Sequence, residues 1–213
     1  MSKLRFSITM SLDGYVAGPN QSLKEPLGVG GEALHDWAVE LAAFKEAHGQ
    51  KGGTVNASSP IMQEMFENVG AVIMGRNMFG GGPGSWMSDW KGWWGDNPPF
   101  HMPVFVLTHH PRESLPMRGG TTFHFVTDGI ESALSQAKQA AADKDVLIGG
   151  GARTVQQFLA AGLVDEVNIS MVPLFLGGGE RLFDNLGDSP PRLEQTRVVE
   201  APGVVHLRYR VAR

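Results

Sequence analysis

One stretch of the chain decides both the fold and the place of a candidate site: Val146-Leu147-Ile148-Gly149-Gly150-Gly151-Ala152-Arg153-Thr154. An apolar run leads into three glycines, and Val155, Phe158 and Leu159 then mark a helix that ends near Gly162. Glycine lets a phosphate approach the backbone, and the free N–H groups at a helix N-terminus attract it. The alternative for the same glycines is a tight turn without a ligand. The spacing is not the GxGxxG of a Rossmann site.

Strands and helices alternate along most of the remaining sequence. Alternating or apolar runs predict strands at 5–10, 71–74, 104–107, 123–126, 166–172, 192–200 and 204–211. Apolar residues at helical spacing predict helices at 32–48, 59–68 and 130–143, the last capped by Asp128. Pro202-Gly203 predicts a hairpin between the last two strands. The pattern indicates a single α/β domain over residues 1–213, with a mostly parallel central sheet and an antiparallel C-terminal edge.

Composition excludes several classes of protein. The chain has 213 residues, 42% of them hydrophobic, and a formal net charge of −4. It therefore has no basic field for nucleic acid or an anionic membrane, and it has no apolar run near the ~20 residues that span a bilayer. Because the N-terminus also lacks a signal-peptide core, we expect a cytoplasmic protein.

Metal and cysteine chemistry are not expected either. The sequence contains no cysteine, which excludes disulfide scaffolds, thiolate zinc sites and cysteine nucleophiles. The histidines at positions 101, 109, 110 and 124 show no ligand spacing that we recognise. We therefore predict no metal site.

Residues 79–103, the tryptophan segment, interrupt the alternation of strands and helices. This segment contains several glycines and prolines and four of the five tryptophans, at positions 86, 90, 93 and 94. Loops of this length are usually functional or disordered, and disordered segments are poor in aromatic residues. We expect an ordered flap that either stacks on a flat substrate or packs against the protein, a dimer interface included.

Two further strand ends carry groups that bind anions. Ile73-Met74-Gly75-Arg76 presents a glycine and a guanidinium, and Val106-Leu107-Thr108-His109-His110 presents a hydroxyl and two imidazoles. Taken singly, Arg76 could form a surface ion pair and the histidines could be ordinary loop residues. Open α/β sheets bind ligands outside the carboxyl ends of their strands, so we predict one shared crevice.

The motifs and their order resemble a known superfamily. The three strand ends resemble the cofactor-binding framework of dihydrofolate reductases, which implies their three-layer α/β fold. The chain also resembles the C-terminal reductase domain of the bifunctional riboflavin-biosynthesis deaminase/reductase, over residues 5 to about 183. The motifs that carry this second resemblance are Met10-Ser11-Leu12-Asp13-Gly14, Gly150-Gly151-Ala152-Arg153, Ala161-Gly162-Leu163-Val164-Asp165-Glu166 and Pro173-Leu174-Phe175-Leu176-Gly177.

The resemblance implies NADPH-dependent hydride transfer to a small-molecule substrate by a homodimer. It places Arg76, Thr108 and His109 near the adenosine 2′-phosphate, and the nicotinamide toward Thr9 and the two residues after it. The pyrophosphate would lie against the glycine loop. The implied cofactor-binding residues are Met10, Ser11, Gly75, Arg76, Thr108, His109, Gly149, Gly150, Gly151, Ala152, Arg153 and Thr154.

Two carboxylates are candidates for the catalytic acid. Asp36 is the nearest match to the carboxylate that dihydrofolate reductases place on their first helix, and a solvent-facing residue in a first turn is the alternative. Asp13 is either a turn residue before Gly14 or an acid.

Three functions remain open after the sequence analysis. Without cysteine the zinc site of the deaminase half cannot form, so reduction of 5-amino-6-(5-phosphoribosylamino)uracil is the leading activity. Dihydrofolate reduction is the first alternative. A non-catalytic nucleotide-binding or sensor protein is the second.

Overall fold

The computed structural model describes residues 2–87 and 89–212. The strands are β1 Leu4–Ser11, β2 Tyr15–Ala17, β3 Val69–Gly75, β4 Pro103–Leu107, β5 Leu115–Pro116, β6 Thr122–Val126, β7 Asp145–Gly150, β8 Glu166–Val172, β9 Glu180–Arg181, β10 Leu193–Ala201 and β11 Val204–Val211. The helices are α1 Asp36–Val39, α2 Ala42–Ala47, α3 Ser58–Glu64, α4 Arg76–Phe79, α5 Ile130–Ala141 and α6 Ala152–Ala160. Short 3-10 turns cover Gly31–His35 and Arg118–Gly120.

A central sheet organises the described part of the chain. Its strand order is β10-β11-β8-β1-β7-β3-β4-β6-β5, and the six strands from β8 to β6 are parallel. The hairpin of β10 and β11 adds the predicted antiparallel edge, with Ala201 opposite Val204 around the Pro202-Gly203 turn. A two-residue antiparallel strand, β5, lies at the other edge and was not expected from the sequence. The predicted α/β fold with a mostly parallel sheet is confirmed.

The two faces of the sheet are covered by different elements. On one face, α5 and α6 pack on β1, β3 and β7 in the main hydrophobic core, which includes Phe6, Ile73, Ile148 and Phe158. On the other face, α4 and the tryptophan segment cover a second core on β3, β4, β6 and β7. The sheet is therefore the middle of three layers, and the tryptophan segment forms part of an outer one.

The predicted helix over residues 32–48 is wrong as one continuous helix. The chain forms a 3-10 turn, then α1 and α2, and Leu41 between them is extended, with φ −73° and ψ 142°. Leu41 is fully buried and pairs with Thr54, whose carbonyl accepts from the Ala42 N–H at 2.9 Å and whose N–H donates to Glu40 O at 2.8 Å. This pairing with a later segment interrupts the helical pattern.

The predicted cap of α5 is also wrong. The N-cap residue is Gly129, with φ 96°, and it makes no side-chain capping bond. The Asp128 carboxylate instead accepts from the hydroxyls of Thr127 and Ser132. The second predicted helix ends earlier than expected, at Glu64. Within residues 2–87 and 89–212, no helix combines the length and apolar composition needed to cross a bilayer.

Candidate functional site

A cavity of about 740 Å³ lies at the carboxyl ends of β1, β7, β3 and β4. Its volume falls within the range of ~300–1,000 Å³ that is typical of small-molecule and cofactor sites. The predicted site residues that line it are Gly75, Arg76, Thr108, His109, Gly149, Gly150, Gly151, Ala152, Arg153 and Thr154. The structure therefore brings all three predicted strand ends to one crevice.

The glycine loop and the start of α6 form one wall of the cavity. Strand β7 pairs Ile148 with Ile73 but Gly150 with Met74, so Gly149 is an extra residue that bends the strand at the cavity. Gly150 has φ 139°, a conformation that L side chains rarely adopt. A Cβ at Gly151 would meet no heavy atom within 4 Å, so a ligand can approach the backbone there. The first N–H groups of α6 follow directly and favour an anion.

The end of β3 touches the start of α6 closely. A Cβ at Gly75 would lie only 2.4 Å from Thr154 Oγ1, and Thr154 is buried. Gly75 itself has an ordinary extended conformation, with φ −81° and ψ 159°. Glycine is therefore required here by the approach of α6 to β3, which joins two of the strand ends.

Arg76 lines the cavity but is engaged on its other side by the tryptophan segment. Its Nε and Nη2 donate to the carbonyls of Gly80 and Gly82 at 3.1 and 3.0 Å, and its guanidinium carbon lies 3.3 Å from the Trp86 ring centroid. Burial and the neighbouring Arg112 lower the pKa of Arg76 from its ordinary value. An isolated surface ion pair does not describe this residue.

A second guanidinium lies near the same indole. The Arg112 guanidinium carbon is 5.1 Å from the Trp86 ring centroid. Burial lowers the pKa of Arg112 from its ordinary value. Arg76 Nη1 and Arg112 Nη1 are both buried and have no hydrogen-bond partner among the described residues. Two buried donors of the same charge make this region favourable for an anion.

The tryptophan segment both packs on the second core and borders the cavity. Trp86 contacts Phe79 and Phe125 edge to face, and its Nε1 donates to His110 O at 2.8 Å. Trp93 and Trp94 line the cavity. Trp94 also packs on the second core, against Phe100 and Phe123, so one segment supplies both core packing and part of the cavity lining.

At the end of β1, the cavity is lined by Ile8 and Thr9 rather than by the predicted Met10 and Ser11. Met10 is buried in the main core. Ser11 Oγ donates to Asp13 Oδ1 at 2.6 Å and accepts from the Tyr15 N–H. Neither residue is among those that border the cavity.

The two candidate acids also lie outside the cavity lining. The Asp13 carboxylate accepts from Ser11 Oγ and from the N–H groups of Leu176 and Gly177, and these hydrogen bonds lower its pKa. It thereby fixes the turn after β1 to the segment after β8. Asp36 is the exposed first residue of α1. The structure thus places Asp13 as a turn residue and Asp36 as a solvent-facing residue in the first turn of a helix.

Several lining residues had not been singled out from the sequence. His35, at the end of the first 3-10 turn, lines the cavity one residue before Asp36, and Gln21, Gln157 and Glu180 also line it. No local pattern identifies these residues, because tertiary packing alone brings their segments to the sheet. Of the charged side chains in the described lining, Arg76 and Arg153 are cationic and Glu180 is anionic.

The next feature is the distribution of possible metal ligands over residues 2–87 and 89–212. These ranges contain no group of three or more histidine and carboxylate side chains close enough to hold a metal ion. The arrangement instead offers backbone N–H groups, guanidinium groups and aromatic rings around an elongated cavity. Such an arrangement can bind a phosphorylated ligand and a flat ring.

Comparison with solved structures confirms the fold. A protein described as a riboflavin biosynthesis protein from Shewanella is 24% identical, with a TM-score of 0.64 and full coverage of both chains. The diaminohydroxyphosphoribosylaminopyrimidine deaminase/5-amino-6-(5-phosphoribosylamino)uracil reductase of Thermotoga maritima is 14% identical, with a TM-score of 0.57. The match covers 99% of this chain but 57% of that enzyme.

A dihydrofolate reductase from Enterococcus faecalis, solved with NADP(H) and an inhibitor named RAB-propyl, is 14% identical and has a TM-score of 0.51. That match covers 99% of this chain and 97% of the reductase. Comparison with curated protein sequences gives no match.

The family comparison extends over nearly the whole chain. The model of the RibD C-terminal domain matches residues 2–207, which include every strand end that borders the cavity. Together with the dihydrofolate reductase-like fold, this match shows that the chain belongs to the RibD C-terminal domain family.

Proposed function

We propose that this protein is an NADPH-dependent reductase of a small pyrimidine-like heteroaromatic compound, and that 5-amino-6-(5-phosphoribosylamino)uracil is its substrate. Membership of the RibD C-terminal domain family implies an oxidoreductase. The Thermotoga relative is named as a reductase of that uracil derivative. The dinucleotide and the substrate are our proposals for this chain.

One observation carries the proposal: three strand ends and the N-terminus of α6 converge on a single cavity. The glycine loop and α6 offer backbone N–H groups to a pyrophosphate, and Gly151 leaves the space open. Arg76 supplies a buried N–H group without a partner among the described residues. These features fit a dinucleotide that carries an additional phosphate.

In this proposal the protein binds and orients the cofactor and the substrate and shields them from water, because the cofactor supplies the hydride. Arg76 and Arg153 neutralise phosphate charge at the β3 and β7 ends of the cavity. Ile8 and Thr9 at the end of β1 then border the reacting rings, away from the phosphates. Trp93 and Trp94 exclude water from the side of the tryptophan segment.

The first test is a titration with NADPH and NADH followed by tryptophan fluorescence, because Trp93 and Trp94 border the cavity. We expect micromolar binding of NADPH and weaker binding of NADH. Arg76→Ala should weaken NADPH about 10- to 100-fold and leave NADH nearly unchanged, since one charge-assisted hydrogen bond contributes ~1.5–3 kcal/mol. Arg192→Ala, an exposed arginine outside the cavity lining, is the matched control.

Equal losses for the two dinucleotides in Arg76→Ala would refute the assignment of this residue to the additional phosphate. The second step adds 5-amino-6-(5-phosphoribosylamino)uracil or dihydrofolate and follows the loss of NADPH absorbance. Turnover of dihydrofolate alone would favour the first alternative function. Tight NADPH binding without turnover of either compound would favour the non-catalytic nucleotide-binding protein.

We also propose that the protein is a homodimer. Strand β10 is an unpaired sheet edge in the described fold and exposes Val198. Phe175 is 74% exposed and Leu12 is 52% exposed, and a hydrogen bond from Leu12 N to Leu174 O holds their segments together. Sedimentation velocity of the wild type and of Phe175→Ser tests this proposal. A wild-type monomer at micromolar concentration would refute it.

A further inference from the structure

His35 is a titratable side chain in the cavity with no assigned role. It ends the 3-10 turn Gly31–His35, which packs against β1 and β2. Thr9 of β1 and Ala17 of β2 line the same cavity. Among the described residues the His35 ring makes no hydrogen bond, so its nitrogens are available to a ligand.

The position of His35 separates it from the two other histidines of the cavity lining. His109 and His110 follow β4, which lies three strand positions from β1 in the sheet. At ~4.8 Å per strand this is about 14 Å. His35 therefore borders the β1 end of the cavity, where the proposed function places the reacting rings, while the other two imidazoles border the end near Arg76.

The remaining titratable side chains of the described lining are poor proton donors for that end. Arg76 and Arg153 do not release protons in proteins. Glu180 forms an ion pair with Arg153, with 3.7 Å between its Oε2 and the Arg153 Nε. Hydride addition to a carbonyl or imine leaves a basic heteroatom that must be protonated, so a donor is needed near the acceptor.

We propose that His35 is the general acid of this reductase and gives its imidazolium proton to the substrate heteroatom as the neighbouring carbon is reduced. The inference rests on the proposed function. The carbon gains the hydride that the reduced dinucleotide supplies, the π electron pair of the C=O or C=N bond moves to the heteroatom, and that atom takes the proton. The substrate is thus reduced, the dinucleotide is oxidised, and the neutral imidazole is reprotonated from solvent.

The charged groups around His35 determine the direction of the pH dependence. Burial lowers its pKa from the ordinary value of 6.5, and the negative charge of Asp36 opposes this effect. The other elements packed on this turn carry few charged or titratable groups. Strand β2 contributes Tyr15, and β9, which pairs with β2, contributes Glu180 and Arg181. Arg5 lies at the far end of β1. The acid form therefore predominates only below a lowered pKa that lies under 6.5, and activity should decline as the pH rises through that pKa.

The experiment compares pH profiles of kcat/KM for 5-amino-6-(5-phosphoribosylamino)uracil in the wild type, His35→Gln and Asp36→Asn. We expect the wild-type value to fall about tenfold per pH unit above the His35 pKa. His35→Gln should be lower by ~10²- to 10⁴-fold on the acid side and lose this slope. Asp36→Asn should keep the slope but shift it to lower pH, because a charge that raises the His35 pKa is removed.

Two further readouts separate proton donation from a structural role. NMR titration of histidine-labelled protein, with the His35 resonance identified by its loss in His35→Gln, should give the same pKa as the kinetic profile. NADPH binding by fluorescence should be unchanged in His35→Gln. His48, an exposed C-cap residue of α2 outside the cavity lining, provides the matched control, and His48→Gln should retain wild-type kinetics.

The outcomes distinguish this inference from the proposed function. A wild type that binds no NADPH, or reduces nothing, overturns the proposed function and the inference with it. A wild type that turns over while His35→Gln keeps the pH slope overturns the inference alone. Loss of the slope in Asp36→Asn but not in His35→Gln would assign the proton to Asp36 instead.

Discussion

The contact between Gly75 and Thr154 allows a quantitative test of how the cavity is built. In Gly75→Ala the new Cβ would lie 2.4 Å from Thr154 Oγ1, whereas the next nearest atom, Thr154 Cβ, would be at an ordinary 3.7 Å. Overpacking a buried site costs ~1–3 kcal/mol, and the gain of ~0.4–1 kcal/mol from a stiffer unfolded chain offsets part of it. We expect a net loss of about 1–2 kcal/mol, measured by urea denaturation.

Removal of the clashing oxygen should rescue this variant. In a Thr154→Ala background, Gly75→Ala should be neutral or stabilising by up to ~1 kcal/mol, because φ −81° and ψ 159° suit alanine. Thr154→Val keeps a γ atom in place of the oxygen and serves as the control that should not rescue. If Gly75→Ala costs the same in the wild-type and Thr154→Ala backgrounds to within ~0.5 kcal/mol, the contact is not the cause and the reasoning fails.

Three further predictions concern His206, Glu64 and Trp86. His206 hydrogen-bonds two serine hydroxyls, and burial lowers its pKa from 6.5 to about 4. Because the unfolded chain binds that proton more readily, the free energy of unfolding should fall by about 3 kcal/mol as the pH drops from 6.5 to 4. Urea denaturation across this range should show this pH dependence, and His206→Gln should remove it. The Glu64 carboxylate accepts hydrogen bonds from Arg197 at 2.8 Å and Arg208 at 2.6 Å, and these contacts lower its pKa. Glu64→Gln should therefore cost ~1 kcal/mol at pH 7 by urea denaturation and remove part of the stability loss below pH 4.5. An unchanged loss of stability below pH 4.5 would contradict this. Trp86→Ala should cost about 2–3 kcal/mol of stability by thermal denaturation and weaken NADPH binding, because the Arg76 guanidinium stacked on the ring loses its support. Trp86→Phe should retain most of the stability and most of the NADPH affinity. Equal losses in the two variants would contradict the stacking role.

Local sequence patterns were sufficient for every strand of the central sheet except β5 and for the glycine loop that lines the cavity. Residues 149–154 follow a buried strand, as Arg76 and Thr108 do, and the carboxyl ends of parallel strands meet at one edge of a sheet. The convergence of these residues on one cavity could therefore be predicted from their places after the strands. The hairpin at Pro202-Gly203 was equally local. In each of these cases neighbouring residues specify the conformation.

The errors occur where distant segments decide the local structure. Leu41 lies in a helical pattern but is held extended by Thr54, thirteen positions later in the printed sequence. In the separate 3-10 turn before α1, His35 rather than Asp36 lines the cavity. Met10 is a different case, because the alternation with Phe6 and Ile8 already indicates the core face, and only the resemblance placed this residue at the cavity.

The cavity has two walls of different construction, and this difference bears on how its specificity can change. The wall with Trp93 and Trp94 belongs to a segment built into the second core. A second wall, with Gln21 and Leu27, comes from a surface loop that is held by backbone bonds such as Gly18 N to Leu27 O. Substitutions in that loop can alter substrate choice at little cost to folding, so selection for new substrates, natural or directed, should accumulate changes there first.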